Sequence, residues 1–362
     1  MSKPAYTDHL PGRTVMLEGE EFLYCSGTSY LGMACNKAFQ QLVLEGMQRY
    51  GTNYSSSRRS NLRLQVYGQV EEQLTRISGA EAAVTMSSGF LMGQTLAQVL
   101  RNRGRFLYAP AAHPALWLDE CAAGQANADI TFSEWTDLVL EEVQASDKER
   151  FILICNALDP LKAESYTFDW VAQLPEQQKI ILVVDDSHGF GVTGPEGAGI
   201  YPALSKYKNV DLVVVSSFGK ALGVPAGFIL ASKEMVELVK ASPYFGGASP
   251  AIPAYLHAYL QAGEVIKEAR GRLQQNIHTF LGQVEQAEQL FRFIPDYPVY
   301  STSHESMAAY LHQHRILISS FRYPTNESAP INRVILSSLH TPADLQRLAE
   351  AVNQFSAKFV IN

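Results

Sequence analysis

The sequence has few cysteines. Only four of its 362 residues are cysteine, and none of them belongs to a C-x-x-C pair. Cys155 lies inside the apolar run 151–155, so we expect buried, reduced thiols rather than disulfides. The histidines give one close pair, His312 and His314, which has no cysteine or acidic residue beside it as a third ligand. No metal site is therefore predicted.

The sequence also lacks an excess of positive charge and a long hydrophobic run. Its formal net charge is -7, so it offers no basic surface for a nucleic acid or an anionic membrane. No stretch approaches the roughly 20 apolar residues of a membrane-spanning helix, and the N-terminal residues form no apolar signal segment. We therefore expect a cytoplasmic protein without a membrane span and without a nucleic-acid partner.

Apolar residues are abundant and occur in short runs. They make up 46% of the chain, enough for a large core. Segments of helical spacing, such as 66–77, separate runs at 82–86, 106–108, 151–155, 180–184, 212–215 and 227–230. This alternation predicts an α/β fold with a mostly parallel sheet. We expect an N-terminal segment at 1–45, a large domain at 46–250 and a small α+β domain at 251–362 that begins with a long connecting helix, from about 252 to 289.

Two of the apolar runs end at polar side chains. The run 180–184 is followed by Asp185 and, three residues later, by His188, while the run 212–215 leads to Ser217 and Lys220. Because buried parallel strands end at a crevice along one sheet edge, a carboxylate, an imidazole and an amine should meet there. Pyridoxal phosphate (PLP) requires a lysine for its Schiff base and an acid that pairs with its pyridinium nitrogen. The strand ends therefore predict a PLP site.

These motifs resemble those of the α-oxoamine synthases, a family of fold-type-I PLP-dependent enzymes. The resemblance is carried by the Asp-x-x-His strand end, the glycine-rich loop 189–199 and the segment Ser-Phe-Gly-Lys at 217–220. It implies that Asp185 keeps the ring nitrogen protonated, that His188 contacts the phenolic-oxygen side of the ring, and that Lys220 forms the Schiff base. Ser217 would bind the cofactor phosphate.

Further positions match the family pattern. The Ser-Gly-aromatic turn at 88–90 has the form of a helix start, where backbone N–H groups favour a phosphate, and the resemblance assigns this contact to Gly89 and Phe90. It places His113 in a stack on the pyridine ring and gives Arg333 the grip on the amino-acid carboxylate. In this family a homodimer shares its active sites, and Ser249 is our candidate for a phosphate contact from the neighbouring chain.

Residues 189–194 also match G-x-G-x-x-G, the pattern of a dinucleotide-binding turn. The glycines are followed by Pro195 and by further glycines rather than by a helix, and Asp-Asp-Ser-His separates them from the strand. Asp211 begins its strand, whereas the ribose contact requires an acidic residue at a strand end. The context therefore argues against a nicotinamide cofactor.

Two segments depart from the family pattern. In the glycine-rich region near the substrate mouth a glycine is replaced by Leu62 and the usual histidine by Tyr67, although Arg58 is retained. In the segment from Asn156 to Lys162, the serine that normally contacts the ring oxygen is missing. The first departure would alter the pocket for an acyl donor, and the second would alter the support of the ring.

The resemblance implies a PLP-dependent acyltransferase that joins an amino acid to an acyl thioester with loss of carbon dioxide. An aminotransferase or a lyase on the same fold is the alternative, because only substrate contacts separate these reactions. A third possibility is a cofactor-free relative that acts by binding, against which the intact Asp185, His188 and Lys220 argue.

Overall fold

The computed structural model describes residues 6–146, 149–322, 328 and 330–359. These residues divide into two compact units. The large unit comprises Ala38–Asp159 and Ser165–Gly263, and the small unit comprises the residues up to Lys37, Pro160–Glu164 and the residues from Glu264 onward. Among the residues described, no helix is long and apolar enough to cross a membrane.

The strands and helices alternate through most of the chain. The strands are β1 Thr14–Leu17, β2 Glu20–Cys25, β3 Ala82–Met86, β4 Arg105–Tyr108, β5 Phe151–Asn156, β6 Leu158–Asp159, β7 Glu164–Ser165, β8 Ile180–Asp185, β9 Asp211–Ser217, β10 Gly227–Ala231, β11 Arg292–Phe293, β12 Val299–Thr302, β13 Ile316–Arg322 and β14 Pro330–Ile335. The helices are α1 Lys37–Tyr50, α2 Gln65–Ser78, α3 Gly89–Leu100, α4 Glu120–Ala126, α5 Phe132–Gln144, α6 Tyr201–Leu204, α7 Lys233–Ala241, α8 Pro243–Gly247, α9 Pro253–Gln261, α10 Gly263–Leu281, α11 Ala287–Leu290, α12 Met307–Gln313 and α13 Pro342–Phe359.

A six-stranded sheet forms the core of the large unit, in the order β3-β10-β9-β8-β5-β4. The pairs β4–β5, β5–β8 and β8–β9 are parallel, whereas β10 runs antiparallel to both of its neighbours. All the other strands therefore point the same way. Strand β5 is buried along its whole length, as expected of a continuous apolar run in a sheet covered on both faces. The predicted α/β fold with a mostly parallel sheet is confirmed.

The small unit has a second six-stranded sheet, in the order β1-β2-β13-β14-β12-β11. Strand β2 pairs in parallel with β13, with Leu23 opposite Ile316, while the other pairs of this sheet are antiparallel. Helix α13 begins after Thr341, whose hydroxyl accepts the Asp344 N–H while the Asp344 carboxylate accepts the Thr341 N–H. This reciprocal cap fixes the start of the last helix.

Two expectations about local structure are wrong. The stretch from about 252 to 289 is not one helix, because α9 ends at Gln261 and α10 begins anew at Gly263 before a further break that precedes α11. The cysteines are not all buried either, since Cys121 is exposed and Cys35 is partly exposed, although Cys25 and Cys155 are buried as predicted. All four are free thiols.

The small unit contains a buried neutral histidine, His340. Its Nδ1 accepts the Ser337 N–H at 3.2 Å, and its Nε2 lies 3.1 Å from the Tyr24 carbonyl oxygen, to which it donates. The residue is only 5% exposed, and burial lowers the pKa of His340 below its ordinary value. A second proton, on Nδ1, would displace the Ser337 hydrogen bond.

We expect this histidine to make the protein less stable in mild acid. Because the folded-state pKa is the lower one, the unfolded chain takes up the proton first, so stability is complete above about pH 6.5 and falls as the pH drops below it. His340→Asn keeps an acceptor near the Ser337 N–H but cannot titrate, so its urea midpoint should change less between about pH 7 and pH 5. The exposed His9→Asn is the control. Equal pH slopes for His340→Asn and wild type would contradict this account.

Candidate active site

The C-terminal ends of the parallel strands bring Asp185, Ser217 and the turn that contains Lys220 to one edge of the large sheet. Asn156 at the end of β5 is paired with Asp185 at the end of β8, and Asp185 is paired with Val215 in β9. Strand β3 points the same way, so the turn that follows Met86 lies at this edge as well. Ligands of open α/β sheets bind at such an edge.

Asp185 and Asp186 occupy different surroundings, as the alternation of side chains along a strand requires. Asp185 is half-buried, and its Oδ1 accepts the Ser187 N–H at 2.9 Å. Asp186 is buried, with Oδ2 accepting the Ile200 N–H at 2.7 Å. His188 follows in the turn and is partly exposed. Asp185 is therefore the more accessible of the two carboxylates.

Lys220, His113 and Asp185 lie close enough to influence one another's charge. Burial lowers the pKa of the Lys220 amine, and the Asp185 carboxylate partly opposes that shift. Partial burial also lowers the pKa of His113, an effect that Asp185 opposes and Lys220 adds to. The His113 Nδ1 accepts the Ala115 N–H at 3.2 Å, which leaves the proton of the neutral ring on Nε2. A carboxylate, a neutral imidazole and an amine with lowered proton affinity thus share one site.

The turn from Ser87 to Phe90, called here the Ser88 turn, begins helix α3. The Ser88 side chain caps the helix by accepting the Leu91 N–H at 3.1 Å. The N–H groups of Gly89 and Phe90 stand in the first turn of a helix, where they have no partner within the helix. A Cβ atom at Gly89 would lie 2.7 Å from the Ser217 Cβ, so the turn approaches Ser217 as closely as glycine permits. Amides and a hydroxyl thus meet where an anion would be favoured.

Asn156 belongs to this site but was recognised in the sequence only as a departure from the family pattern. Its Nδ2 donates to the Ala111 carbonyl oxygen at 2.7 Å and thereby ties the loop before His113 to the end of β5. Its Oδ1 is buried and accepts no hydrogen bond from the described residues. The signal in the sequence was a polar residue at the end of an apolar run, the same signal that identified Asp185.

Phe90, Ser249 and Arg333 were also predicted to belong to the site. Phe90 is 56% exposed, so any role at the site rests on its backbone. Ser249 is exposed in the extended stretch after α8. Arg333 belongs to the small unit, where it is 5% exposed and donates from Nη1 to the Pro160 carbonyl oxygen at 2.7 Å. The roles assigned to Ser249 and Arg333 stay predictions.

The glycine-rich loop winds around the Asp186 carboxyl group. A side chain at Gly189 or Gly199 would overlap the carboxyl oxygens, and the Asp186 carbonyl oxygen accepts the N–H groups of Gly189 and Phe190. Burial raises the pKa of Asp186 to about 8, although its bond from the Ile200 N–H opposes the shift. The glycines of the 189–199 loop therefore leave room for a buried acid rather than for a dinucleotide.

We expect Asp186 to make the protein less stable as the pH rises. The folded-state pKa is the higher one, so the folded protein keeps a proton that the unfolded chain loses above about pH 4, and stability declines until about pH 8. In Asp186→Asn this loss should be absent, so the urea midpoint should fall less between about pH 6 and pH 9 than in wild type. The exposed Asp129→Asn is the control and should keep the wild-type slope. A wild-type slope in Asp186→Asn would refute the assignment.

The residues at this edge fit PLP by their chemistry. Lys220 can form an imine, Asp185 can pair with a protonated ring nitrogen, and a neutral His113 can stack on an aromatic ring. The Ser88 turn and Ser217 present donors for a phosphate, with the room that Gly89 leaves. Among the described residues, no cluster of histidine, cysteine and acidic side chains could hold a metal ion.

Comparison with known proteins places this geometry in a family. The family model for aminotransferases of class I and II matches residues 28–352. The chain belongs to that family. Within it, the chain is a member of the α-oxoamine synthases, as its motifs indicated.

The curated relatives match over nearly the full chain. An 8-amino-7-oxononanoate synthase from Paraburkholderia xenovorans (strain LB400) is 26% identical over 94% of this chain and 91% of that protein. The enzyme of the same name from Azoarcus sp. (strain BH72) is also 26% identical, over 94% of this chain and 89% of its own length.

Solved structures show the same fold. Serine palmitoyltransferase from S. paucimobilis, solved with a bound PLP–myriocin adduct, has a TM-score of 0.81 at 18% identity and covers 98% of this chain and 92% of that one. An 8-amino-7-oxononanoate synthase from Francisella tularensis has a TM-score of 0.69 at 20% identity, covering 94% of this chain and 99% of that one. The fold-type-I architecture is therefore confirmed.

Proposed function

We propose that this protein is a PLP-dependent acyltransferase that condenses an amino acid with an acyl thioester such as an acyl-CoA, in the manner of 8-amino-7-oxononanoate synthase. The observation that carries the proposal is the meeting of Lys220, Asp185 and His113 at the strand edge. The relatives named above, which match over 94% of the chain, support the reaction type. The cofactor is pyridoxal phosphate.

The candidate site residues of the large unit each have a role in this proposal. Bound PLP would supply an electron sink for charge that develops on the amino-acid α-carbon. Asp185 holds the ring nitrogen in its protonated form, and His113 fixes the plane of the ring. Lys220 holds the cofactor before the reaction and then, as a free amine of lowered pKa, removes the α-proton of the substrate. His188 contacts the phenolic-oxygen side of the ring.

The overall reaction balances when one proton is taken up from solvent. A carbon–carbon bond forms between the amino-acid α-carbon and the acyl carbonyl, the thioester C–S bond breaks, and the carboxylate leaves as carbon dioxide. The proton that Lys220 removed returns to the α-carbon, and the proton from solvent completes the released thiol. Before the loss of carbon dioxide the substrate carboxylate requires a cation, and Arg333 is our assignment, because its guanidinium offers a planar fork. Its Nη1 bond to Pro160 would hold that fork in one orientation.

The test is the visible absorption spectrum of the purified protein during additions of glycine, alanine and serine, followed by acyl-CoA. The proposal predicts a yellow protein whose band shifts with one amino acid. Added acyl-CoA should then release free thiol and carbon dioxide in equal amounts. A yellow protein that binds an amino acid but never releases thiol from any thioester would contradict the acyltransferase reaction.

An aminotransferase or a lyase is the second candidate. It is favoured by the matching family model, which carries the name of the aminotransferases, and by the departure of the segment 156–162 from the α-oxoamine synthase pattern. Formation of a 2-oxo acid from the amino acid, in the absence of thioester, would identify this reaction. A colourless protein that takes up no added PLP would instead favour a relative that acts by binding.

The proposal includes a homodimer in the cytoplasm with Ser249 reaching the phosphate of the neighbouring subunit. Light scattering during size-exclusion chromatography tests the dimer. Ser249→Ala should weaken PLP binding if the serine has this role, since a hydrogen bond to a charged group is lost.

A further inference from the structure

The residue Thr85 is held by side chains on the side of β3 that no strand covers. In the described part of the chain, β3 pairs only with β10, so its other side is an edge. There the Thr85 N–H donates to the Glu71 Oε1 at 3.0 Å, and the Thr85 carbonyl oxygen accepts from the Arg58 Nη1 at 3.2 Å. Both backbone groups that an edge strand would leave open are thus satisfied by side chains.

The Thr85 side chain joins the same network. Its hydroxyl donates to the Glu71 Oε1 at 3.1 Å and accepts from the Arg58 Nη1 at 3.1 Å. Arg58 and Glu71 are themselves paired, with 2.9 Å between Nη2 and Oε1, and each side chain is only 12% exposed. An ion pair removed from water in this way needs all of its partners, because a single charge left behind is costly.

Aromatic rings fix the orientation of the Arg58 guanidinium. Its central carbon lies 4.3 Å from the centre of the Tyr67 ring and 5.4 Å from that of Phe245. Tyr67 is buried, and its hydroxyl donates to the Ala251 carbonyl oxygen at 2.9 Å. Tyr67, one of the departures from the family pattern, is therefore a support for Arg58.

We propose that Arg58, Glu71 and Tyr67, called here the Arg58 clamp, position the Ser88 turn for its phosphate. The clamp holds Thr85, which lies near the end of β3 and three residues before Ser88. A shift of Thr85 would be passed directly into the first turn of α3, whose amides must all point at one anion. These are positioning residues, since they act on the cofactor through the turn. The inference rests on the proposed PLP binding.

The experiment compares PLP with pyridoxal, which has the aldehyde but no phosphate. Apoprotein is titrated with each compound, and the yellow band of the Lys220-bound form reports occupancy. In Glu71→Gln and Arg58→Lys, we expect PLP affinity to fall about tenfold, the size of one hydrogen bond to a charged group, while pyridoxal affinity changes little. The ratio of the two affinities is the readout, because a general loss of structure would lower both.

Thr85→Val provides a milder test, since it removes only the hydroxyl bonds and keeps the shape of the side chain. A fall of about threefold in the affinity ratio is expected, with a normal circular dichroism spectrum, in keeping with the loss of a neutral hydroxyl. Glu72→Gln, an exposed neighbour of Glu71, is the matched control and should leave the ratio unchanged. The inference would be overturned if these variants lost affinity for PLP and for pyridoxal equally. It would also be overturned if PLP affinity were unchanged in Glu71→Gln, Arg58→Lys and Thr85→Val. Failure of wild-type apoprotein to bind PLP would instead overturn the proposed function.

Discussion

Lys220→Ala is expected to abolish the yellow band of the lysine-bound cofactor and to lower turnover by at least about 10²–10⁴-fold, the loss typical of a general base. The amine lies at the strand edge, where burial lowers its pKa, so it is the lysine most suited to act as a nucleophile and base. Borohydride reduction followed by peptide mass spectrometry should find the pyridoxyl group on the peptide that contains residue 220 in wild type, and on no peptide of the variant.

Lys206→Ala is the matched control for this experiment. Lys206 is exposed at the surface of the same unit, so its removal should change neither the spectrum nor the turnover. If the reduced cofactor were found on another lysine of the wild-type protein, the assignment of Lys220 would be wrong.

Asp185→Asn should retain the cofactor but lose about 10²–10³-fold in turnover, the cost of removing one preorganised electrostatic partner. The amide has the shape of the carboxylate, so it can still accept the Ser187 N–H, but it cannot stabilise a protonated ring nitrogen. Since Asp185 raises the pKa of Lys220, its neutralisation should also lower the pH at which apoprotein begins to take up PLP. Initial rates and the pH dependence of uptake measure the two effects.

Asp211→Asn, at the opposite end of strand β9, controls for a general loss of negative charge. It should match wild type in both measurements. Full turnover in Asp185→Asn would show that this carboxylate does not act on the cofactor ring, and a change in turnover without a change in uptake would separate its two effects.

Local patterns were sufficient to predict most elements of the large unit. Continuous apolar runs identified β5, β8 and β9, because a parallel strand covered on both faces has no polar side. The helical spacing over 66–77 identified α2, which ends at Gly79 in the left-handed conformation, with φ 73°. The same runs, by the polar residues that end them, indicated Asp185 and Lys220. These features depend on neighbours in the chain, so the sequence contains them directly.

The prediction of one long helix across 252–289 is wrong, because the stretch belongs to two helices in different units. Helical spacing continues through the stretch, but α9 ends at Gln261, and α10 begins at Gly263, where the chain passes from the large to the small unit. Periodicity alone does not record which unit a helix packs against.

The composition, the mostly parallel sheet and the reactive side chains that follow β8 and β9 could be predicted from the amino-acid sequence without a structure, whereas the order of the strands could not. The partners of Thr85, the bond from Asn156 to the loop before His113 and the pairing of β2 with β13 could not be predicted either. Each of these joins residues far apart in the chain, and what decides them is the competition among buried polar groups for hydrogen-bond partners. That competition is settled only when the chain has packed. In the sequence, Arg58 matches the family pattern and Tyr67 departs from it. Only the tertiary structure brings the Arg58 guanidinium over the Tyr67 ring.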